Sequence, residues 1–387
     1  MTVTFDGAPP PGHINFGVGQ PSADLLPVEL LARASAEAMK VAEPYDFNYG
    51  EQPGDGRFRA ALAKFLSQQY GQPAHPDSLL VTAGNSQALD FVCTRFTQTG
   101  DTVFVEEPSY FLAFQILRDH GLKLVSIPTD EHGMVVDQLE AELRKHQPKL
   151  VYTIPSFHNP GGQTLSLERR KQLLHLSQQH GFLIVADEVY QLLYFDQPPP
   201  PAFGSMVGHP DENGTVLSLG SFSKILAPGL RLGWIQASAN LIKHLLGSGI
   251  ISSGGSLNHM SSHIARQALE LGLQEQHLQF LRGEYAERAA AMDQALHQHL
   301  GKWAHWQKPS GGYFFWLELQ ESFDAVTLRR QAPEFKTGVQ AGPVFSNSEQ
   351  FTHCIRLSFA HYNPEQINEG IARLAALFAS THDINSP

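Results

Sequence analysis

A chain of 387 residues is longer than one small core requires and suits a large domain joined to a smaller one. Apolar residues make up 42% and charged residues 17%, as in ordinary globular proteins, and no run of about twenty apolar residues offers a helix to span a bilayer. Asp and Glu (38) outnumber Lys and Arg (27), the formal charge is −11, and no basic run interrupts the acidic surface, which argues against nucleic acid as a partner.

In chain order, the opening MTVTFDGAPPPG shows neither a basic region nor an apolar stretch, so no leader is expected and the cytoplasm is the expected compartment. The first fifty residues, rich in Gly and Pro, carry no strong period and are expected to complete a smaller layer or to reach a partner subunit. Phe58, Ala61, Leu62, Phe65 and Leu66 share one face at helical spacing. Strands are then expected at 79–84, 102–108, 150–155, 182–188, 215–221 and 231–237, several as continuous apolar runs of the kind buried on both faces. Cys93 and Cys354, without paired spacing, read as packed thiols in a reducing compartment. Pro198 to Pro201 reads as an extended surface loop. Beyond about residue 260 a long helical stretch precedes strands at 312–319 and 354–360. No HExxH occurs, and His297 and His299 lie two apart, off a common helical face, so no metal site is expected. The expected fold is α/β: a mainly parallel sheet sandwiched by helices over 51–285, with 1–50 and 286–387 forming a smaller α+β domain.

The segment SLGSFSKILAPGLRLGW (218–234) sets Lys224 behind small hydroxyl residues at a strand end. An unpaired ammonium is costly to bury, and a lysine that sheds its charge can attack an aldehyde to form a Schiff base. Ser221, Ser223 and Arg231 can hold a phosphate beside it. Taken alone, a lysine in a Gly/Ser-rich loop reads as a solvated side chain. FLIVADEVY ends a strand on Asp187, where a carboxylate can pair with a protonated pyridine nitrogen; a helix cap or an ion pair is the plainer reading of an Asp-Glu pair. Tyr190 follows within reach. Asn159, in FHNPGG, can donate its amide to a phenolate oxygen or simply serve a turn. TAGNSQALD passes from strand to helix through Gly84, which suits phosphate at the helix start, or a plain cap by Asn85 or Ser86. Tyr110 offers a ring face for stacking or for core.

In this order, from Asn15 to about Ala376, these segments resemble fold-type-I pyridoxal-5'-phosphate (PLP) enzymes of the class I/II aminotransferase group. The resemblance implies that Lys224 joins the cofactor and later carries a proton, Asp187 meets the pyridine nitrogen, Tyr190 and Asn159 meet the ring's 3'-oxygen, and Tyr110 stacks on the ring. It implies a phosphate held among Ser86, Ser221, Ser223 and Arg231, with Asn85 among the cofactor-binding residues. Tyr49, in FNYGEQPG, matches a tyrosine that reaches the neighbouring subunit's phosphate, which implies a homodimer with shared sites. Arg356, in CIRLSFA, matches the arginine that takes the substrate α-carboxylate, and Gly17 and Gly19 of FGVGQP match a segment lining the substrate pocket. One departure is the order Gly342-Pro343, where relatives commonly carry Pro-Gly.

The implied activity is transfer of an amino group from an L-amino acid to a 2-oxo acid by a ping-pong route. The likeness is to the branch holding 2-aminoadipate and broad-specificity enzymes. Phe16, Tyr110 and Phe314 to Trp316 suggest room for large or aromatic side chains, or else ordinary core. The rival readings are a lyase or oxidase using the same cofactor and a PLP-binding regulator fused to a DNA-binding module. The sequence shows no basic N-terminal module for the regulator. A dinucleotide fold is rejected, because GVGQPS lacks the third glycine and has proline where a helix should open.

Overall fold

The computed structural model describes residues 10–206 and 214–385; residues 1–9, most of the segment read above for a leader, lie outside it. The chain enters through a two-residue strand, β1 (Ile14–Asn15), and a helix not anticipated from the sequence, α1 (Val28–Lys40). Only Ala34 and Ala38 of α1 are fully buried, but its apolar residues do gather on one side at helical spacing, so the first fifty residues carry a period that the sequence reading did not find. The expected helix follows as α2 (Gly56–Tyr70): Asp55 accepts from the Phe58 amide at 2.7 Å to start it, and left-handed Gly71 ends it.

The main sheet is then laid down as β2 (Leu79–Thr82), α3 (Asn85–Phe96), β3 (Thr102–Glu107), α4 (Phe111–Asp119), β4 (Lys123–Asp130), β5 (Gly133–Met134), α5 (Val136–Leu143), β6 (Pro148–Thr153), α6 (Leu167–His180), β7 (Leu183–Asp187), β8 (Val216–Ser221) and β9 (Gly233–Ala237). Its order is β2-β9-β8-β7-β6-β3-β4-β5. Strands β4, β3, β6, β7 and β8 are mutually parallel, and β9 runs against both β8 and β2. The segment read as RLGWIQA is therefore the reversed strand, and β4 and β5 extend the sheet beyond the expected set. Alternate strand residues enter different cores. Val103, Val105, Leu150, Tyr152, Val185, Leu217 and Leu219 join the larger cluster, while Phe104, Val151, Ile184, Ala186 and Val216 join the smaller. Burial on both faces explains the continuous apolar runs.

Helices α7 (Ala239–Leu246), α8 (Gly249–Gly254), α9 (His259–Glu270) and α10 (Leu273–His299) lead to the second layer, and the expected boundary at 285/286 falls inside α10. That layer comprises β10 (Ala304–Trp306), β11 (Phe314–Leu319), α11 (Ala325–Gln331), β12 (Thr337–Gly338), β13 (Gln340–Ala341), β14 (Cys354–Ser358) and α12 (Pro364–Asn385). The order β10-β11-β14-β13 is antiparallel, and β1 returns from the far end of the chain to pair with β12. Glu107, at the end of β3, ties the two layers: it accepts from Ser126 and Ser346 hydroxyls, from the Asn347 amide at 3.0 Å and from the Ser348 hydroxyl at 3.1 Å. Gly342 starts the 3-10 turn of the departing Gly-Pro pair, where a Cβ would lie 2.1 Å from the Phe351 carbonyl oxygen, so a side chain there has no room. Both cysteines are buried free thiols. The carbonyls of Pro200 and Pro201 accept from Gln191 and Arg170, which anchors the proline run to the main layer. Among the described residues no helix is long and apolar enough to cross a membrane, and no cluster of metal-ligating side chains occurs.

Candidate active site

Because β2, β6, β7 and β8 point the same way, their carboxyl ends open on one edge, the place where open α/β sheets bind ligands. A cavity of about 640 Å³ lies there, closed on the far side by the segment around Gly17 and Gly19 and by β14. Asn85, Ser86, Tyr110, Asn159, Asp187, Tyr190, Ser221, Ser223, Lys224, Arg231 and Arg356 all line it, as do Gly17 and Gly19. Tyr49 does not: it is 83% exposed on its own chain and rests against Gly254 of α8. Phe16 is core, edge-on to Tyr362, and of the GYFFW run only Phe314 lines the cavity, while Tyr313 and Phe315 are interior.

Asp187 is buried at the end of β7, and burial pushes its carboxyl up. Opposing that, its Oδ1 accepts from Asn85 Nδ2 at 2.7 Å and its Oδ2 from the Tyr152 hydroxyl at 2.8 Å. The neighbouring Glu188 follows the plainer reading instead. It faces the other side of the sheet, accepts from the amides of Phe203 and Gly204 and the Ser218 hydroxyl, and sits 3.7 Å from buried Arg170. Tyr152 escaped the sequence analysis because an aromatic inside an apolar strand reads as core; only the shared β6/β7 face brings its hydroxyl to Asp187.

Lys224 lies in the connection between β8 and β9, on the turn that reverses the chain. Its Nζ donates to the Gly19 carbonyl at 3.1 Å and sits 5.3 Å from the Tyr313 ring centre. The turn is held by Tyr313, whose hydroxyl donates to the Lys224 carbonyl at 3.3 Å, and by Gln274, whose amide donates to the Ile225 carbonyl at 2.7 Å. Lys224 is half-buried, touching solvent beside the cavity, and loss of hydration lowers its amine to about 8, with Arg356 adding to the effect and Asp187 opposing it.

The start of α3 differs from the expected cap. Its N-cap is Gly84 at φ +85°, and Asn85 and Ser86 are the first two helical residues. No side chain caps this end, so the first amides and the positive end of the dipole face the cavity. Arg231 lies beside it with Nη2 donating to the Ala83 carbonyl at 3.4 Å; a Cβ on Gly84 would come within 3.1 Å of that guanidinium. Ser221 Oγ donates to Ser223 Oγ at 3.0 Å across the same corner.

On the opposite wall Arg356 is 3% exposed, stacked 4.2 Å from the Phe314 ring centre and 4.9 Å from that of Phe345. Nη1 donates to Asn159 Oδ1 at 2.9 Å and Nη2 to the Gly17 carbonyl at 2.8 Å. That bond leaves the Asn159 amide nitrogen as a free donor. Burial lowers the Arg356 guanidinium to about 10, still charged at neutral pH, and no acid pairs with it among the described residues. Tyr190 packs against Tyr313 and Phe314, with burial raising its hydroxyl's pKa; Tyr110 is half-buried and its hydroxyl is pushed up to about 12, foremost by burial.

This donor set fits a phosphorylated pyridine aldehyde: an uncapped helix start with two serines and an arginine for the phosphate, a carboxylate for a ring nitrogen and an amine for the aldehyde. Two buried atoms without a partner, Asn85 Oδ1 and Arg356 Nε, mark where ligand or water bonds are still to be made.

Comparisons with known proteins agree with that chemistry. A family model described as aminotransferase class I and II matches residues 11–374. The chain is 35% identical over 370 residues to aromatic-amino-acid aminotransferase 1 of Thermococcus litoralis, covering 94% of this chain and 87% of that protein. It superposes on a multiple substrate aminotransferase from Thermococcus profundus with a TM-score of 0.89 at 32% identity, covering 97% of this chain and 93% of that one. A TM-score of 0.87 at 31% identity relates it to an alpha-aminoadipate aminotransferase from Thermus thermophilus, complexed with N-(5'-phosphopyridoxyl)-L-leucine, over 97% and 94% of the two chains. By matched length, fold and strand-end chemistry together, the chain belongs to the class I and II aminotransferase family.

Proposed function

We propose that this chain is a PLP-dependent transaminase that moves the amino group of an L-amino acid to a 2-oxo acid in two half-reactions at the cavity between the layers. When bound, PLP supplies an aldehyde carbon that condenses with amines and a protonated ring that draws electrons from the breaking bond. Asp187 would hold the ring nitrogen, with Asn85 and Tyr152 favouring its charged form against burial, and Asn159 and Tyr190 would meet the ring oxygen, with Tyr110 on its face. Ser86, Ser221, Ser223, Arg231 and the first amides of α3 would take the phosphate, with Asn85 bracing that corner. Lys224, an amine near neutrality, removes the proton at the substrate Cα and delivers it again as an acid. Arg356 orients the substrate by its α-carboxylate, and Gly17 and Gly19 leave room for the chain to pass close beside it.

The observation that carries this reading is an amine and a carboxylate lining one cavity opposite a buried arginine that has no acid of its own. The test is a half-reaction. Holoenzyme mixed with a single amino acid and no acceptor should release one equivalent of 2-oxo acid per site and stop. Continuous ammonia release would place the chain among lyases or oxidases and overturn the proposal.

We further propose that the working form is a homodimer. Tyr45 and Tyr49 are 82% and 83% exposed, and Tyr49 rests on the helix that presents Ile250, 62% exposed. Large apolar side chains this exposed are costly to leave in water and suit a second copy. Hybrids of Lys224→Ala and Tyr49→Phe subunits should regain activity that neither parent has, because one of their two sites is intact; a monomer in sedimentation would end the idea.

A further inference from the structure

Besides Arg231 at the phosphate corner and Arg356 on the opposite wall, the cavity carries a third guanidinium. Arg329, half-buried near the end of α11, lines the same space as Arg356, and among the described residues it has neither a hydrogen bond nor an ion pair. The two arginines are held by adjoining pieces of the smaller layer. Gln340 of β13 stands opposite Arg356 in register, and α11 packs against β13. Gln340 also lines the cavity, and its buried Oε1 is without a partner. Two like charges facing one cavity repel unless anions separate them, and Asp187 already accepts from Asn85 and Tyr152.

We infer that Arg329 recognises a second, distal carboxylate on the substrate side chain, so that dicarboxylic amino acids and 2-oxo diacids are favoured over apolar substrates of equal length. This deepens the transaminase reading and rests on it. Arg356 engages the α-carboxylate, and Leu112, Ile116 and Val339, which line the same cavity, suit the methylenes between the two acids. The long stem of a half-exposed arginine lets its head turn toward water when an apolar side chain enters, so apolar donors are disfavoured rather than barred.

The test compares kcat/KM for L-2-aminoadipate and L-leucine in wild-type holoenzyme, Arg329→Gln and Arg329→Lys. Removing a charge-assisted pair should lower the aminoadipate-to-leucine ratio about 10- to 100-fold in Arg329→Gln, mostly through KM for the diacid, with part of it kept by Arg329→Lys. Calorimetric titration supplies a readout independent of turnover: glutarate should bind wild-type holoenzyme about tenfold or more tighter than pentanoate, and Arg329→Gln should erase that advantage. An unchanged ratio together with an unchanged glutarate advantage overturns the assignment of Arg329. If leucine and aminoadipate both fail to convert the bound cofactor in wild type, the transaminase reading fails instead.

Discussion

Replacing Lys224 by methionine should stabilise the cofactor-free protein, and by an amount that depends on pH. Folding moves this amine from an ordinary 10.5 to about 8, chiefly through lost hydration. Below about pH 8 it is charged in both folded and unfolded chains, and the native state carries the full cost. Between about 8 and 10.5 the unfolded chain binds the extra proton, so wild-type stability rises with pH until the penalty is gone. A shift of this size corresponds to at most about 3 kcal/mol at pH 7, less what cavity water screens, and about 1 kcal/mol less at pH 9. Methionine has no proton to lose. It also forfeits the bond to the Gly19 carbonyl, about 1 kcal/mol that does not vary with pH over this range. Lys224→Met should therefore be more stable than wild type by about 2 kcal/mol at pH 7, with the gap narrowing by about 1 kcal/mol at pH 9. Urea unfolding of the two cofactor-free proteins at matched concentration measures it. A wild type that is the more stable at pH 7, or a gap that stays constant between the two pH values, would refute the reasoning.

Tyr152→Phe removes one of the two side-chain hydrogen bonds on Asp187, so its carboxylate becomes harder to ionise and the affinity for PLP should fall about tenfold in equilibrium titration; an unaltered affinity would free Tyr152 from that role. Arg356→Gln should lower kcat/KM about 100-fold for every amino donor alike, in contrast to the selective loss expected at Arg329; a loss confined to diacids would reverse the two assignments. Glu188→Gln leaves Arg170 charged and buried without its acid and should cost about 3–5 kcal/mol of stability, read as a lowered unfolding midpoint; a change below about 1 kcal/mol would show that the backbone carbonyls around Arg170 suffice.

The cofactor-facing residues were legible in the sequence because they cluster at strand ends, where a polar side chain breaks an apolar run: Asp187 after LIVA, Lys224 after Ser221 and Ser223, Asn159 before a turn. Short-range punctuation of that kind survives in one dimension. Contacts made across the sheet do not. Tyr152 meets Asp187 across two strands, and Asn85 meets it across 102 positions, so neither bond leaves a trace in spacing. The same reason hid the reversal of β9, whose residues alternate no differently from those of its parallel neighbours, and the role of Glu188, whose partners come from the segment near Phe203 and from Arg170. Arg329 was silent because an arginine in a short helix ordinarily points into water, and only the packing of α11 on β13 turns it inward.

The pairing of β1 with β12 joins residues 14–15 to 337–338, and the Ser358 amide donates to the Phe16 carbonyl at 2.8 Å. On the ribosome, every side chain expected to hold the cofactor within the chain has been translated once β9 is made, but the roof with Gly17 must wait for strands translated more than 300 residues after it. Contacts of such separation form late, because the entropy of a long loop is lost before any contact rewards it. The nascent protein is thus expected to own a cofactor cradle before it owns a substrate gate, so that vitamin supply during translation bears on its maturation earlier than metabolite supply does.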